Sequence, residues 1–235
     1  MTDTIFALSS GSPPAAIAVV RVSGPQALNA LERLAGPLPP ARRAALRTLR
    51  GSSGDVLDEA LALIFPGPHS ATGEDCGELH CHGGRAVVSA VCAELGAMPG
   101  LRAADPGEFT RRAFANGRID LAQAEALGDL LTAETELQRR AAQAGVGGVL
   151  SEQVEQWREE ILTLSALVEA ALDFSDEAEV DRLPLRVFGR CGALRAEIER
   201  VLAHPRAERL REGIRVVLAG PPNSGKSSLF NALIG

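Results

Sequence analysis

Ile214-Arg215-Val216-Val217-Leu218-Ala219-Gly220-Pro221-Pro222-Asn223-Ser224-Gly225-Lys226-Ser227 joins an apolar, β-branched run to a complete GxxxxGKS phosphate loop. Ser228 to Ile234 continues it with helical spacing, so the order is strand, Gly-rich turn, helix. Lys226 is the only lysine in the chain, and the rest of its 24 basic residues are arginines. A lysine kept here, where a compact point charge serves better than a planar fork, points to a nucleotide-phosphate site. In such a loop, successive backbone N–H groups and the helix N-terminus surround the phosphates. Lys226 reaches the outer phosphates, and the Ser227 hydroxyl ligates Mg2+.

A mononucleotide domain requires several parallel strands covered by helices, and the sequence ends at Gly235, soon after this motif. The expectation is therefore the start of a P-loop domain over residues 213–235, truncated before any water-positioning or base-reading segment.

Outward from the loop, composition describes an ordinary globular chain. The 235 residues are 46% hydrophobic, enough for a sizeable core, and no run approaches a membrane span. Asp3, with no basic residue before the first apolar stretch, argues against a secretory signal. Cys76, Cys81, Cys92 and Cys191 form no CxxC pair, which suits a reducing cytoplasm. A net charge of -6 argues against a surface that coats nucleic acid, and 3% aromatics with no Tyr argue against base-stacking platforms.

Residues 1–118 carry mixed signals. Short apolar runs at Asp3 to Leu8 and Ala16 to Val22 predict strands, and a helix follows near Gln26 to Leu34. A Pro- and Arg-rich connection runs to about Gly54; strand candidates at Leu57 to Phe65 and Glu78 to His82 precede a helix over Gly84 to Met98. This is an α+β module. Residues 119–212 change texture: Asp120 with Gln123 resembles a capping box opening a long helix to about Ala144. Gly145 to Gly148 breaks it, a second long helix runs from Ser151 to about Leu172, and a third from about Leu185 to Ala203. Trp157, Ile161, Leu164 and Val168 form the second helix's expected inner face.

Among other polar groups, His80 and His82 alternate to one strand face and Cys81 to the other, which argues against a shared metal site. The pairs Arg111-Arg112 and Arg139-Arg140 suit tRNA phosphates or a partner, although a solvated helix face is the commoner role for such pairs.

Several segments, in order, resemble one family. Thr72-Gly73-Glu74-Asp75 through His82-Gly83-Gly84, Pro106-Gly107-Glu108-Phe109-Thr110-Arg111-Arg112-Ala113-Phe114 and Ile119-Asp120-Leu121-Ala122-Gln123-Ala124-Glu125-Ala126 look like the MnmE (TrmE) family. Val168-Glu169-Ala170-Ala171-Leu172-Asp173-Phe174 and Asn223 to Ser228 extend the likeness. The resemblance implies a multidomain α+β protein: an N-terminal folate-binding module, an α-helical bundle, and a GTPase domain inserted into the helical domain. It further implies a homodimeric, cytoplasmic GTPase that acts with the flavoprotein MnmG (GidA) to install an aminomethyl-type group on the wobble uridine of tRNA.

By motif, the family's 5-formyl- or 5,10-methylene-tetrahydrofolate ligand falls to Arg21, Glu78 and Arg118, the last standing where lysine is frequent. A carboxylate can accept two N–H bonds from a pterin edge, and guanidinium forks suit carbonyl and carboxylate groups. His82-Gly83-Gly84 is expected to shape a turn beside that pocket. GTP falls to Asn223, Ser224, Gly225, Lys226, Ser227 and Ser228, with Mg2+ on Ser227 and K+ on Asn223. In the family that K+ supplies charge between facing GTPase domains. The resemblance also leaves room for a folate-binding dimerisation scaffold that does not hydrolyse GTP.

Overall fold

The computed structural model describes residues 3–173, 185–203 and 217–234. The chain divides into two compact units, Met1–Ala124 and Glu125–Gly235.

In the first unit, β1 (Thr4–Leu8), β2 (Ile17–Ser23), β3 (Ala45–Arg50), β4 (Val56–Phe65), β5 (Cys76–His82) and β6 (Leu101–Ala103) form one sheet in the order β3-β4-β5-β2-β1-β6. β6 runs parallel to β1, and every other neighbouring pair is antiparallel. Helices α1 (Ala27–Ala35), α2 (Arg85–Gly96) and α3 (Glu108–Ala115) complete this unit.

Period-two alternation sorts the sheet residues between two faces. Ala18, Val20 and Val22 of β2, Leu79 and Cys81 of β5, and Ala60, Ala62 and Ile64 of β4 are buried, and most of them pack with Leu31 and Leu34 of α1 and Val91 and Leu95 of α2 in one core. Gly77 shares that face, and a Cβ there would lie 2.3 Å from Leu31 Cδ2, so the glycine permits the close seat of α1 on the sheet. The opposite face carries Arg21 and Ser23 of β2, Cys76, Glu78 and His80 of β5, and Phe65 of β4, aligned by the pairings Arg21 to Glu78, Ser23 to Cys76 and Phe65 to Cys76.

Three elements of this unit went unread in the sequence. β3 lies inside the connection taken as irregular, where Leu49 is fully buried but Leu46 is exposed and Arg47 and Arg50 interrupt any apolar alternation. The three-residue β6 is too short to show a period, and α3 is hidden because its buried residues include Glu108 and Arg112.

Helix α4 (Leu121–Thr132) starts at the end of the first unit, and α5 (Glu136–Val146), α6 (Val149–Asp173), α7 (Leu185–Leu202) and α8 (Lys226–Ile234) follow in the second. Asp120 and Gln123 form the expected capping box, with Gln123 N donating to Asp120 Oδ1 at 2.8 Å and Asp120 N to Gln123 Oε1 at 3.0 Å. The single long helix expected beyond it is two helices. A second capping box interrupts it, with Gln138 N donating to Thr135 Oγ1 at 3.2 Å and Thr135 N to Gln138 Oε1 at 2.9 Å.

α6 and α7 are joined by Arg190, which donates to both Glu160 oxygens at 2.6 Å, and by Gln153, which donates to Glu197 at 2.9 Å. Leu164 is buried as expected, but Ile161 is 52% exposed. It borders an open apolar groove of about 510 Å³ with Val168, Cys191, Leu194 and Ile198. Phe174 and residues 214–216 of the expected strand lie outside the described residues, as does the expected boundary at 212/213. Residues 217–219 form no strand, and among the described residues of the second unit there is none for them to pair with.

Candidate functional site

The open face of the sheet builds a cavity of about 550 Å³ lined by Arg42, Phe65, His69, Ser70, Ala71, Cys76, Glu78 and Arg118, a size suited to a small-molecule ligand. Glu78 stands on its floor. Burial pushes its carboxyl up, but hydrogen bonds from His80 and Arg21 together outweigh burial and hold it below the ordinary carboxylate value. Arg21 donates to Glu78 Oε1 through Nε at 3.0 Å and Nη2 at 2.7 Å, and His80 Nε2 lies 3.2 Å from Oε2. Arg21 itself is not among the lining residues; its guanidinium sits 5.7 Å from the centre of the Phe109 ring, which fixes it against α3. Arg118 enters from beyond α3 and donates from Nε to the Ser70 carbonyl at 3.2 Å. The three folate candidates are thus gathered at one place, two lining the cavity and the third bonded to the carboxylate.

Cys76, at 1% exposure, is the buried apolar part of the wall, and burial pushes its thiol up to about 12, so it is no thiolate nucleophile at neutral pH. His82 does not line the cavity. Its Nδ1 lies 2.7 Å from Asp58 Oδ1, and the turn at Gly83 packs on Ala15 instead, where a Cβ would meet the Ala15 oxygen at 2.3 Å.

The loop from Pro66 to Asp75 carries much of the lining, and a buried polar network holds it. Gly73 takes φ +82, and a Cβ there would lie 2.9 Å from Asn116 Cβ and 3.1 Å from Arg118 Cγ. Asn116 Nδ2 donates to the Thr72 carbonyl at 2.7 Å, Thr72 Oγ1 is 2.6 Å from Ser23 Oγ, and Ser23 donates to Glu74 at 2.9 Å. Glu74 in turn accepts from Arg112.

Arg112 departs from both readings of the Arg111-Arg112 pair, whereas Arg111 is exposed, as on a solvated helix face. Arg112 is fully buried, bonded to Asp3 at 2.9 Å, Glu74 at 3.1 Å and Glu108 at 3.1 Å. A cation so enclosed by carboxylates cannot meet a phosphate; its work is to tie the N-terminal strand, the cavity loop and α3 together. Glu108 is 1% exposed and also accepts both terminal nitrogens of Arg102, at 2.8 and 2.6 Å. The Arg102 bonds chiefly hold its carboxyl down at about 2, against the pull of burial. Its spacing from Arg112, four residues along a helix, was the signal in the sequence. Arg139 and Arg140, by contrast, are exposed and share Glu136 at 2.7 Å each.

In the second unit, the backbone of residues 220–227 passes through the left-handed region at two positions. Asn223 has φ 62 and Gly225 φ 79, and α8 begins at Lys226. Lys226 Nζ folds back over the loop, donating to the Gly220 carbonyl at 3.0 Å and the Pro221 carbonyl at 2.7 Å. Ser227 and Ser228 are exposed in the first turn of α8. An extensible cation over a turn, followed by exposed hydroxyls at a helix N-terminus, is a donor set fit for phosphate and Mg2+.

Comparison with known proteins matches both units. A family model described as GTP-binding protein TrmE N-terminus covers residues 4–118, and one described as MnmE helical domain covers residues 121–229. The "tRNA modification GTPase MnmE" of Erythrobacter litoralis is 64% identical over 232 residues, covering 99% of this chain and 55% of that protein. Proteins of the same name from Novosphingobium aromaticivorans and Sinorhizobium medicae are 60% and 54% identical, covering 100% and 99% of this chain and 56% and 53% of their own lengths. The two models define a chain with a TrmE-type N-terminal domain followed by a helical domain. The chain belongs to the MnmE (TrmE) family, a family of tRNA modification GTPases, and spans about half the length of these relatives.

Proposed function

We propose that this chain supplies the folate-binding module (1–118), the first part of the helical domain (119–212) and the start of the P-loop domain (213–235) of a GTPase that modifies the wobble uridine of tRNA. The modification is of the 5-carboxymethylaminomethyl type, uses a tetrahydrofolate one-carbon donor, and is carried out with the flavoprotein MnmG in the cytoplasm by a homodimer. The observation that carries this reading is the ionised Glu78, held by Arg21 and joined by Arg118 at one cavity. A carboxylate flanked by guanidinium groups in a hollow of mixed polar and apolar lining suits the N–H edge and the anionic groups of a reduced folate.

In the phosphate loop, Lys226 would engage the outer phosphates of GTP, with Ser224, Gly225 and Ser228 around them. Ser227 would hold Mg2+ and Asn223 K+. Mg2+ held there would offset the negative charge of the phosphates, and K+ would add the positive charge that an arginine supplies in other GTPases.

Calorimetric titration with 5-formyl-tetrahydrofolate tests the folate site. The unsubstituted chain should bind, and Glu78→Ala should weaken binding roughly tenfold or more, as for the loss of a charge-assisted pair. Binding left unchanged by that substitution would remove the assignment.

A second reading is a folate-binding dimerisation scaffold without hydrolysis. Potassium-dependent GTP turnover by this chain would refute it.

A further inference from the structure

Two arginines border the cavity without any acidic partner. Arg42, in the connection between α1 and β3, has its guanidinium 5.7 Å from the centre of the Phe65 ring and donates from Nη2 to the His69 carbonyl. Arg118 donates to the next carbonyl, that of Ser70. Guanidinium groups from two distant segments are thus anchored on consecutive carbonyls of one loop. Among the described residues neither lies within 4 Å of a carboxylate, and the one acid lining the cavity, Glu78, is occupied by Arg21 and His80. A carbonyl accepts a hydrogen bond without cancelling charge, so the cavity carries two uncompensated cations, each with further N–H donors to offer.

The backbone at Arg42 is a second, independent observation. Arg42 sits at φ 63, in the left-handed region that a glycine would take without strain. Its own N–H donates to the Ile64 carbonyl at 2.9 Å, so this strained conformation is fixed by the edge of β4. An arginine held in a glycine's conformation, with its guanidinium over an aromatic ring, is the kind of local strain that accompanies a ligand-binding role.

We propose that Arg42 and Arg118 form a carboxylate-recognising subsite that takes the anionic glutamate tail of the ligand whose ring system meets Glu78. Arg42 is then a specificity-determining residue that separates tail-bearing folates from the bare pterin. This rests on the folate reading above. The planar fork can pair two carboxylate oxygens at once, and Phe65 lies beside it.

The test is calorimetry on the full chain with two probes, 5-formyl-tetrahydrofolate and 5-formyl-tetrahydropterin, which lacks the aminobenzoyl-glutamate tail. Arg42→Gly should lower affinity for the first roughly tenfold to a hundredfold and leave the second within about twofold. Arg42→Lys should recover part of the lost affinity, and Arg42→Gln none. An equal loss for both probes, or no loss for either, would overturn the subsite while leaving the folate reading in place. Failure of the unsubstituted chain to bind either probe would overturn the folate reading, and the subsite with it.

Discussion

Arg21 and Glu78 face one another as Cα partners in the β2–β5 ladder, with Arg21 Nη2 2.7 Å from Glu78 Oε1. Strand register, more than loop conformation, sets this ion pair, so its geometry is as firm as the sheet beneath it. The rest of the cavity is arranged around that fixed point by Phe65 at the end of β4, the loop before β5, Arg42 and Arg118.

The first prediction concerns pH. The folded Glu78 carboxyl titrates below its ordinary value of 4.5, so the pair's contribution to stability is present above that value and is lost as pH falls through the folded value. Affinity for 5-formyl-tetrahydrofolate that depends on ionised Glu78 should stay level from neutral pH to roughly pH 5 and fall only below it. Calorimetry at stepped pH checks this; a decline already complete at pH 5 would contradict it.

Acid should also loosen the network around Arg112. Glu108 sits at about 2 when folded against an ordinary 4.5, so its stabilisation is full above the higher value and drains away as pH falls toward the lower. Thermal unfolding of Glu108→Gln should show a lower Tm at pH 7 and a flatter dependence on pH between the two values than the unsubstituted chain. Arg112→Met, which strands buried carboxylates, should cost roughly 3–5 kcal/mol in urea denaturation.

Gly73→Ala should affect both stability and binding. Its φ of +82 and the contacts at 2.9 and 3.1 Å predict a loss of about 1–3 kcal/mol and a displaced Arg118, hence weaker folate binding. Gly54→Ala is the control: φ is +90, but a Cβ would meet nothing within 4 Å, so stability should fall while ligand affinity holds. Equal ligand affinities for the two variants would show that Gly73 does not position the site.

For the phosphate loop, Lys226→Ala should reduce the affinity of the chain for a fluorescent GTP analogue roughly tenfold or more. Asn223→Ala should retain nucleotide binding but lose any dependence of affinity on potassium. Anisotropy titrations in potassium and in sodium separate the two effects.

Strand alternation is a strict rule, and it sends His80 and His82 to one face of β5 and Cys81 to the other; Arg21, Glu78 and Arg118, in contrast, were legible only through their motifs. The Asp120–Gln123 capping box was equally direct. Thr135 and Gln138 carry the same signal, but they fall inside an apolar periodicity that continues past them, so two helices read as one. Arg112 was misjudged because arginine is rarely fully buried, and the pairing that permits burial draws on Asp3 and Glu74, far away in sequence. Arg42 gave no signal at all. Its role depends on a positive φ and on Phe65, and neither is visible in an Arg-rich connection.

A chain with one lysine has one address for lysine-directed chemistry. A protease that cuts only after lysine can make a single cut here, between Lys226 and Ser227, at the first turn of α8. Nucleotide bound over that turn would shield the bond. The rate of one cleavage, followed on a gel with no label attached, therefore reports occupancy of the phosphate loop.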